Sequence, residues 1–218
     1  MISRVITHVQ TRAPVAALTF DDGPHPDSTP RVLDVLGKFG VRATFFMIGQ
    51  KARQYPQIVR MVAEAGHAIG NHAWQHTNLT KIRSRLRRLK QLLACARATA
   101  PYHQRIFRPP YGAHDRSILL DAMLLRYKVI LWNASAQDWT FQGPEDIAQK
   151  MISRITPGSI FLLHDAISAE KKEGIERDRQ TMLSGLERAL SAMASKMQFV
   201  TVPELLRYGP PGSKWPLQ

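Results

Sequence analysis

The sequence predicts a single-domain α/β fold with a mostly parallel sheet. The alternation of its apolar patterns predicts the fold class, and its length predicts one domain. Strand-like apolar runs alternate along the chain with stretches in which apolar residues recur at helical spacing, an alternation typical of parallel strands joined by helices. The 218 residues, 44% hydrophobic and 22% charged, suffice for one sizeable core but are few for two. A single domain over residues 1–218 is therefore expected.

The predicted elements follow one another without an internal repeat or a low-complexity segment. Strands are expected at Val15–Phe20, Arg42–Ile48, Ala68–Asn71, Ile106–Phe107, Lys128–Trp132, Ser159–Leu163 and Phe199–Val202. Helices are expected at Thr29–Phe39, Tyr55–Ala65, Lys81–Ala98, Ser117–Arg126, Pro144–Ile155 and Arg179–Met197. The charged stretch 166–178 is expected to be a long connection and the tail 209–218 to be irregular.

The first predicted strand delivers two adjacent carboxylates, Asp21 and Asp22, into a Gly-Pro turn. Successive strand side chains point to opposite faces, so these two residues cannot do the same work from the same place. One can hold a metal while its neighbour handles a proton. The same four residues, Asp-Asp-Gly-Pro, also suit an ordinary surface turn.

A second candidate element is the pair His72 and His76, which follows the strand-like run at Ala68–Asn71. On a helical turn, residues at i and i+4 lie on one face, so the two imidazoles can bind one ion. Adding one carboxylate gives three protein ligands, the number found in catalytic zinc sites. By themselves the two histidines are equally consistent with unrelated positions on a loop.

Three further segments follow in order: Phe107-Arg-Pro-Pro-Tyr-Gly112, Ser135-Ala-Gln-Asp-Trp139 and Ile160-Phe-Leu-Leu-His-Asp165. With the first two, they make the chain resemble the polysaccharide deacetylase family, carbohydrate esterase family 4, which shares the NodB-homology domain of chitooligosaccharide deacetylases. The resemblance runs from about Val15 to Leu206 and includes all five family motifs. It implies a distorted (β/α) barrel of about seven strands, with the active site at their carboxyl ends.

The resemblance also implies roles for the first residues. Asp21 matches the general base, and Asp22, His72 and His76 match the ligands of a divalent metal. Arg108 matches the arginine that orients the base, since a guanidinium favours the ionised carboxylate. A surface salt bridge is the alternative for this arginine.

The later motifs match the remaining machinery. His164 corresponds to the general acid, and Asp138 to the carboxylate that keeps it protonated. Tyr111 corresponds to the residue whose backbone N–H stabilises the oxyanion. Substrate contacts are implied for Trp139, Leu162 and Pro110, although Tyr111 and Leu162 also suit plain packing.

Two positions depart from the family pattern. Ala73 stands where a Ser or Thr usually follows the first histidine, so looser support of the metal loop is expected. Ser135 replaces an acidic residue at the start of the fourth motif, which puts one contact on the arginine side of the site in doubt. Neither change removes a ligand, the base or the acid.

The function implied is metal-dependent removal of N-acetyl groups from an N-acetylglucosamine-containing glycan, with release of acetate. Zinc suits a His, His, Asp set best, and cobalt, nickel or iron also fit it. Two alternatives stay open: a hydrolase of a different amide or ester, and an inactive sugar-binding module.

Much of the formal charge of +13 is concentrated in the segment 81–90 of the predicted helix Lys81–Ala98, where Ile82, Leu86, Leu89 and Leu93 form an apolar stripe expected to leave the basic side chains outside. This run fits either a solvated helix surface or attraction to an anionic glycan, a membrane surface or nucleic acid. It has no aromatic interleaving, so nucleic acid is not predicted as a partner.

The chain has one cysteine, Cys95, expected to be a small buried side chain. No signal-peptide core and no run near the ~18 apolar residues of a membrane span is found. A cytoplasmic location is therefore expected, although a chain trimmed of an export signal would look the same.

Overall fold

The fold is built on a curled parallel sheet, described by a computed structural model over residues 5–168 and 178–213. The strands are β1 (Val5–Ile6), β2 (His8–Val9), β3 (Val15–Asp21), β4 (Thr44–Met47), β5 (Ala68–Asn71), β6 (His103–Phe107), β7 (Lys128–Ile130), β8 (Ala134–Ser135), β9 (Ile160–His164), β10 (Gln198–Phe199) and β11 (Pro211–Gly212). The main sheet has the order β1-β7-β6-β5-β4-β3-β9-β8, and β10 also pairs with β3. All these pairings are parallel, whereas β2 and β11 form a separate antiparallel pair.

Helices connect most of the strands, as the α/β prediction requires. They are α1 (Ser28–Lys38), α2 (Gly49–Gln54), α3 (Pro56–Glu64), α4 (Arg85–Ala98), α5 (Arg116–Leu124), α6 (Pro144–Arg154), α7 (Gln180–Met193) and α8 (Val202–Leu205). Among the described residues, no helix is long and apolar enough to span a bilayer.

Strand β3 shows how the sheet separates two packed layers. All seven of its residues are buried. Leu18 and Phe20 belong to the cluster that packs against the helices, and Ala17 belongs to the cluster that fills the inside of the curl. Because side chains alternate along a strand, Thr19 and Asp21 share the inner side with Ala17. The first carboxylate of the Asp-Asp pair is thereby directed into the half-barrel.

The expected α/β fold is confirmed, but the sheet curls into a half-barrel with eight strands on its main path, where a distorted barrel of about seven strands was expected. Several element bounds differ from expectation. The predicted strand at Phe199–Val202 ends at Phe199, since Val202 begins α8, and α2 was not predicted. Part of the tail expected to be irregular pairs as β11. Most of the predicted connection 166–178 lies outside the described residues.

Helix α4 differs most from the prediction. It begins at Arg85, where the Ser84 side chain accepts a hydrogen bond from the Arg87 N–H, so Ile82 precedes the helix. The predicted stripe is wrong as a core face: Leu86 and Leu93 are 63% and 40% exposed. The side that packs inward instead consists of Arg88, Leu92 and Cys95. Arg88 can be buried there because Asp121 neutralises it at 2.6 Å.

Candidate active site

The predicted site residues meet at the carboxyl edge of the sheet, because each follows or ends a parallel strand. Asp21 ends β3 and His164 ends β9, and the two residues are register partners. His72 follows β5, and Arg108 follows β6. Strands hold these positions while the loops after them carry the remaining groups.

Asp22, His72 and His76 form a cluster whose candidate ligand atoms all lie within 4.8 Å of one another. The Oδ1 atom of Asp22 is 3.4 Å from His72 Nε2 and 3.2 Å from His76 Nε2. The other ring nitrogen of His72, Nδ1, lies 2.7 Å from the carbonyl oxygen of Arg108. Because that bond requires an N–H at Nδ1, it leaves Nε2 with a lone pair directed at the cluster, as a metal-binding histidine needs.

The chemistry of the cluster fits a divalent cation. Asp22 Oδ2 accepts a hydrogen bond from the Ser168 N–H at 2.8 Å, whereas the buried Oδ1 has no hydrogen-bond partner among the described residues. Burial tends to raise the pKa of Asp22, but contact with His72 and the charge of His76 outweigh it and hold that pKa far below its usual value. Burial lowers the pKa of His76 to about 4, so its imidazole is neutral near pH 7. A carboxylate together with two imidazole nitrogens is a suitable ligand set for such a cation.

Asp21 is held by Arg108, whose Nη1 donates to its Oδ1 at 2.7 Å. The guanidinium is fully buried, and it also donates to Thr19 Oγ1 and to the carbonyl oxygens of Ile130 and Leu131. Burial lowers the pKa of Arg108, although the Asp21 carboxylate opposes this shift. The arrangement fixes Asp21 as an oriented hydrogen-bond acceptor next to the Asp22–His72–His76 cluster.

His164 is held by Asp138 on the opposite side of the cluster. Its Nδ1 lies 3.0 Å from Asp138 Oδ1, and its backbone N–H donates to Asp138 Oδ2 at 2.9 Å. Burial alone would lower the pKa of His164, but the Asp138 charge and hydrogen bond reverse the direction and raise it to about 9. The imidazole is therefore protonated near neutral pH and can serve as a proton donor.

A cavity of about 310 Å³ joins these groups. The candidate metal ligands, the carboxylate of Asp21 and the ring of His164 all face this cavity. Aromatic and aliphatic side chains form the rest of its walls. The lining residues are Asp21, Asp22, His72, His76, Tyr111, Gly112, Trp132, Trp139, Leu162, His164 and Ile167. Trp139 packs its ring edge-on to His164, with the centroids 5.2 Å apart. Pro110, expected to contact substrate, is buried and does not line the cavity.

The loops around the cavity adopt uncommon backbone conformations. Among the described residues, Asp22, Ala73, Tyr111 and Gln137 all have positive φ in these loops, with values between 55° and 76°. Non-glycine residues rarely adopt this region, and such positions concentrate where a site constrains the chain.

The two departures from the family pattern have local compensation. The N–H of Ala73 donates to Asn71 Oδ1 at 2.9 Å, so the loop between the two histidines is braced by Asn71. Ser135 lies in β8, and its carbonyl oxygen accepts a hydrogen bond from Arg154. The bonds of Arg108 to Thr19 and to two carbonyl oxygens position the guanidinium without an acidic residue at 135.

Sequence reasoning missed several residues that support the site. The buried Arg179 donates from Nη1 to Asp138 Oδ2 and from Nη2 to the Asp138 carbonyl oxygen, both at 2.9 Å. The ammonium group of Lys51 donates to the Asp22 carbonyl oxygen and to Ser168 Oγ, each at 2.7 Å. Trp132 lines the cavity just beyond β7, and its place at a strand end is the one signal that could have found it.

Comparison with known proteins agrees with this geometry. Residues 8–130 match the polysaccharide deacetylase family. A chitooligosaccharide deacetylase of Sinorhizobium fredii is 32% identical over 198 residues, which cover 87% of this chain and 90% of that protein. The peptidoglycan-N-acetylglucosamine deacetylase PgdA of Listeria monocytogenes is 34% identical over 193 residues, covering 87% of this chain but only 38% of the longer relative.

A solved structure shows the same fold. The Bc1960 peptidoglycan N-acetylglucosamine deacetylase superposes with a TM-score of 0.83 at 28% identity, covering 98% of this chain and 96% of that one. The chain therefore belongs to the polysaccharide deacetylase family, a family of metal-dependent carbohydrate deacetylases that includes the chitooligosaccharide and peptidoglycan enzymes above. The resemblance inferred from the five motifs is confirmed. The Asp22–His72–His76 cluster supplies suitable donors for the metal on which the family depends.

Proposed function

We propose that this protein hydrolyses the N-acetyl group of N-acetylglucosamine units in an oligo- or polysaccharide and releases acetate. The observation that carries the proposal is the placement of Asp21 and His164 in one cavity with the Asp22–His72–His76 cluster. Amide hydrolysis needs a base for water and an acid for the leaving nitrogen. The similarity to peptidoglycan and chitooligosaccharide deacetylases favours a glycan as the acyl carrier.

Asp22, His72 and His76 would hold the divalent cation, and zinc is the ion we propose. When bound, it supplies Lewis-acid polarisation of the acetyl carbonyl and lowers the pKa of water. The Arg108 carbonyl oxygen keeps His72 in the tautomer that metal binding needs. The Ser168 N–H donates a hydrogen bond to the second carboxylate oxygen of Asp22, Oδ2.

Asp21 is assigned the role of general base. It lies beside the Arg108 guanidinium, it lines the cavity, and its Oδ2 lies 3.9 Å from His72 Nε2. It therefore stands within reach of a water molecule close to the cluster and can accept the proton that this water loses on attacking the carbonyl carbon. Arg108 then stabilises the carboxylate between turnovers and fixes its direction.

His164 is assigned the role of general acid. It carries its proton at neutral pH and faces the same cavity as Asp21. When the carbon–nitrogen bond of the tetrahedral species breaks, His164 gives its proton to nitrogen, so the sugar leaves as an amine. Release of the proton that Asp21 took from water, and uptake of a proton by His164, return both groups to their starting states, so the overall hydrolysis balances.

The remaining cavity residues suit recognition of the acetyl group. Trp139 and Leu162 offer an apolar surface for the methyl group, and Trp132 also lines the cavity. The Tyr111 backbone N–H is the proposed donor to the oxyanion, a charge that develops only during the reaction. The Tyr111 ring, 57% exposed at the mouth and 4.3 Å from the His76 ring, is placed to stack on a sugar face.

Acetate release from a matched panel of substrates tests this function. The panel consists of N-acetylglucosamine oligomers of increasing length, an O-acetylated sugar and a non-sugar acetamide. Faster release from the oligomers supports the proposal, and the length preference identifies the size of the glycan. Faster release from the ester or from the non-sugar amide would show a different hydrolase on the same fold. Sugar binding without release from any compound would show a binding module.

A further inference from the structure

Helices α4 and α5 lie side by side on the outside of the half-barrel. Asp121 of α5 joins them, since its two carboxylate oxygens accept from Arg85 Nε at 3.0 Å and Arg88 Nε at 2.6 Å. The carboxylate is 2% exposed, so the link is a buried contact between the helices. Their solvent-facing sides therefore form one continuous surface, here named the α4–α5 face.

The outer side of α4 mixes apolar and basic side chains. Arg88, Leu92 and Cys95 point inward, and a rotation of 100° per residue directs Leu86, Lys90, Leu93 and Arg97 the opposite way. Leu86 is the second most exposed large apolar residue of the described chain, at 63%. Exposed leucines and basic side chains therefore occupy the same side of this helix.

The outer side of α5 is apolar. Ile118, Asp121 and Ala122 are buried, and the residues on the opposite side are Leu120, Met123 and Leu124, with exposures of 39%, 43% and 55%. Together the two helices expose five large apolar side chains on one surface. Exposed apolar residues that are grouped in this way, unlike single ones, mark an interaction site.

The surroundings of these side chains are strongly positive. The segment 81–128, all of it within the described residues, contains twelve basic and only two acidic residues, and the whole chain has a net charge of +13. One of the two carboxylates is the buried Asp121, so Asp115 is the exposed one. Ten basic side chains of this segment are exposed: Lys81, Arg83, Arg85, Arg87, Lys90, Arg97, Arg105, Arg116, Arg126 and Lys128.

We propose that the α4–α5 face binds the surface of an anionic lipid bilayer. Exposed leucines and a methionine flanked by arginines and lysines are the composition of an interfacial membrane contact, in which apolar side chains enter the headgroup region and basic ones attract acidic lipids. A second copy of this chain would bring two positive faces together, which charge repulsion opposes. A soluble polyanion would use the basic residues but leave the apolar ones in water.

The proposal predicts binding to vesicles of equimolar phosphatidylcholine and phosphatidylglycerol, measured by co-sedimentation. Binding to pure phosphatidylcholine vesicles is expected to be far weaker, and added salt is expected to reduce binding to the anionic ones. Each basic residue near an anionic surface contributes roughly fivefold in affinity. Replacing Arg83, Arg87 and Lys90 by Gln should therefore weaken binding on the order of a hundredfold.

The matched control changes the same charge elsewhere: Arg12→Gln, Arg60→Gln and Lys196→Gln, three exposed positions outside this face. A second comparison tests the apolar contribution. The variant that combines Leu86→Ser with Leu124→Ser is compared with Met61→Ser, because Met61 is an exposed residue of α3. All these positions lie outside the catalytic cavity, so acetate release from soluble oligomers should stay unchanged and report intact folding.

Loss of vesicle binding in both face variants, with the controls unaffected, would establish the proposal. Equal loss in the control charge variant would show attraction by net charge alone. Loss on charge removal without any effect of the Leu86 and Leu124 changes would show a polyanion site. Absence of wild-type binding to the anionic vesicles at low salt, or concentration-dependent dimers abolished by Leu124→Ser, would also overturn it.

Discussion

Replacing Asp21 by Asn perturbs the site while preserving its shape, because the amide oxygen can still accept from Arg108. The change removes the proposed base and, within the part of the chain that the structure describes, the only carboxylate at hydrogen-bond distance from a fully buried guanidinium. Removing one partner of a buried ion pair costs about 3–5 kcal/mol. Arg108 keeps its bonds to Thr19 and to two carbonyl oxygens, so the lower end, about 3 kcal/mol, is expected.

For a chain of this length, 3 kcal/mol corresponds to a decrease in Tm of roughly 6–12 °C. Turnover should fall by about 10³-fold, in the range that a positioned general base contributes. Bound metal should remain, because the ligand atoms of Asp22, His72 and His76 are untouched. Metal content of the dialysed protein, thermal unfolding and acetate release measure the three effects separately.

Asp34→Asn is the matched control, since Asp34 is exposed on α1 and its replacement should alter none of these quantities. An Asp21→Asn protein that turns over substrate at the wild-type rate would refute the base assignment. Loss of metal from the same variant would show that Asp21 is a ligand, and the division of labour between the two carboxylates would be wrong.

Four further predictions concern the acid side of the site. His164→Ala should slow hydrolysis of the acetamide much more than hydrolysis of an acetate ester with a good leaving group, which needs little protonation; equal losses on both substrates would contradict the acid role. The rate should fall at alkaline pH with a midpoint at or below about 9, because a cation at the cluster can only lower the pKa of His164, and a pH–rate profile of His164→Ala should lack this limb. The raised pKa of His164 also contributes about 3 kcal/mol to the free energy of unfolding, and this contribution is fully present below pH 6.5 and is lost as pH rises through 9. Urea unfolding of wild type and His164→Ala at several pH values would reveal it. Arg179→Met should lower kcat about tenfold or more and leave KM nearly unchanged, because Arg179 positions Asp138 without lining the cavity; Arg179→Lys should recover part of the rate, and an equal rise in KM would argue against a positioning role.

The sheet and the residues at its carboxyl edge could be predicted because both depend on local patterns. Apolar runs such as Val15–Phe20 end in polar residues that the chemistry needs, and parallel strands bring their carboxyl ends together. The five motifs therefore located the candidate ligands, base and acid before their distances were known.

Residues that act through tertiary contacts could not be found in this way. Arg179 and Lys51 lie far in sequence from Asp138 and Asp22, and neither is part of a local motif. Periodicity failed for α4 because the buried Arg88 depends on Asp121 of another helix. An apolar stripe predicts the core face only when no buried ion pair rotates the helix away from it.

The most direct test of a metal-dependent deacetylase is a metal titration of chelator-stripped protein, with acetate release from an N-acetylglucosamine oligomer and bound metal measured on the same samples. We expect no release from the stripped protein, a return of activity in proportion to one bound ion per chain, and neither metal binding nor activity in His76→Ala. Full activity in the stripped protein, or metal binding retained in His76→Ala, would contradict this expectation.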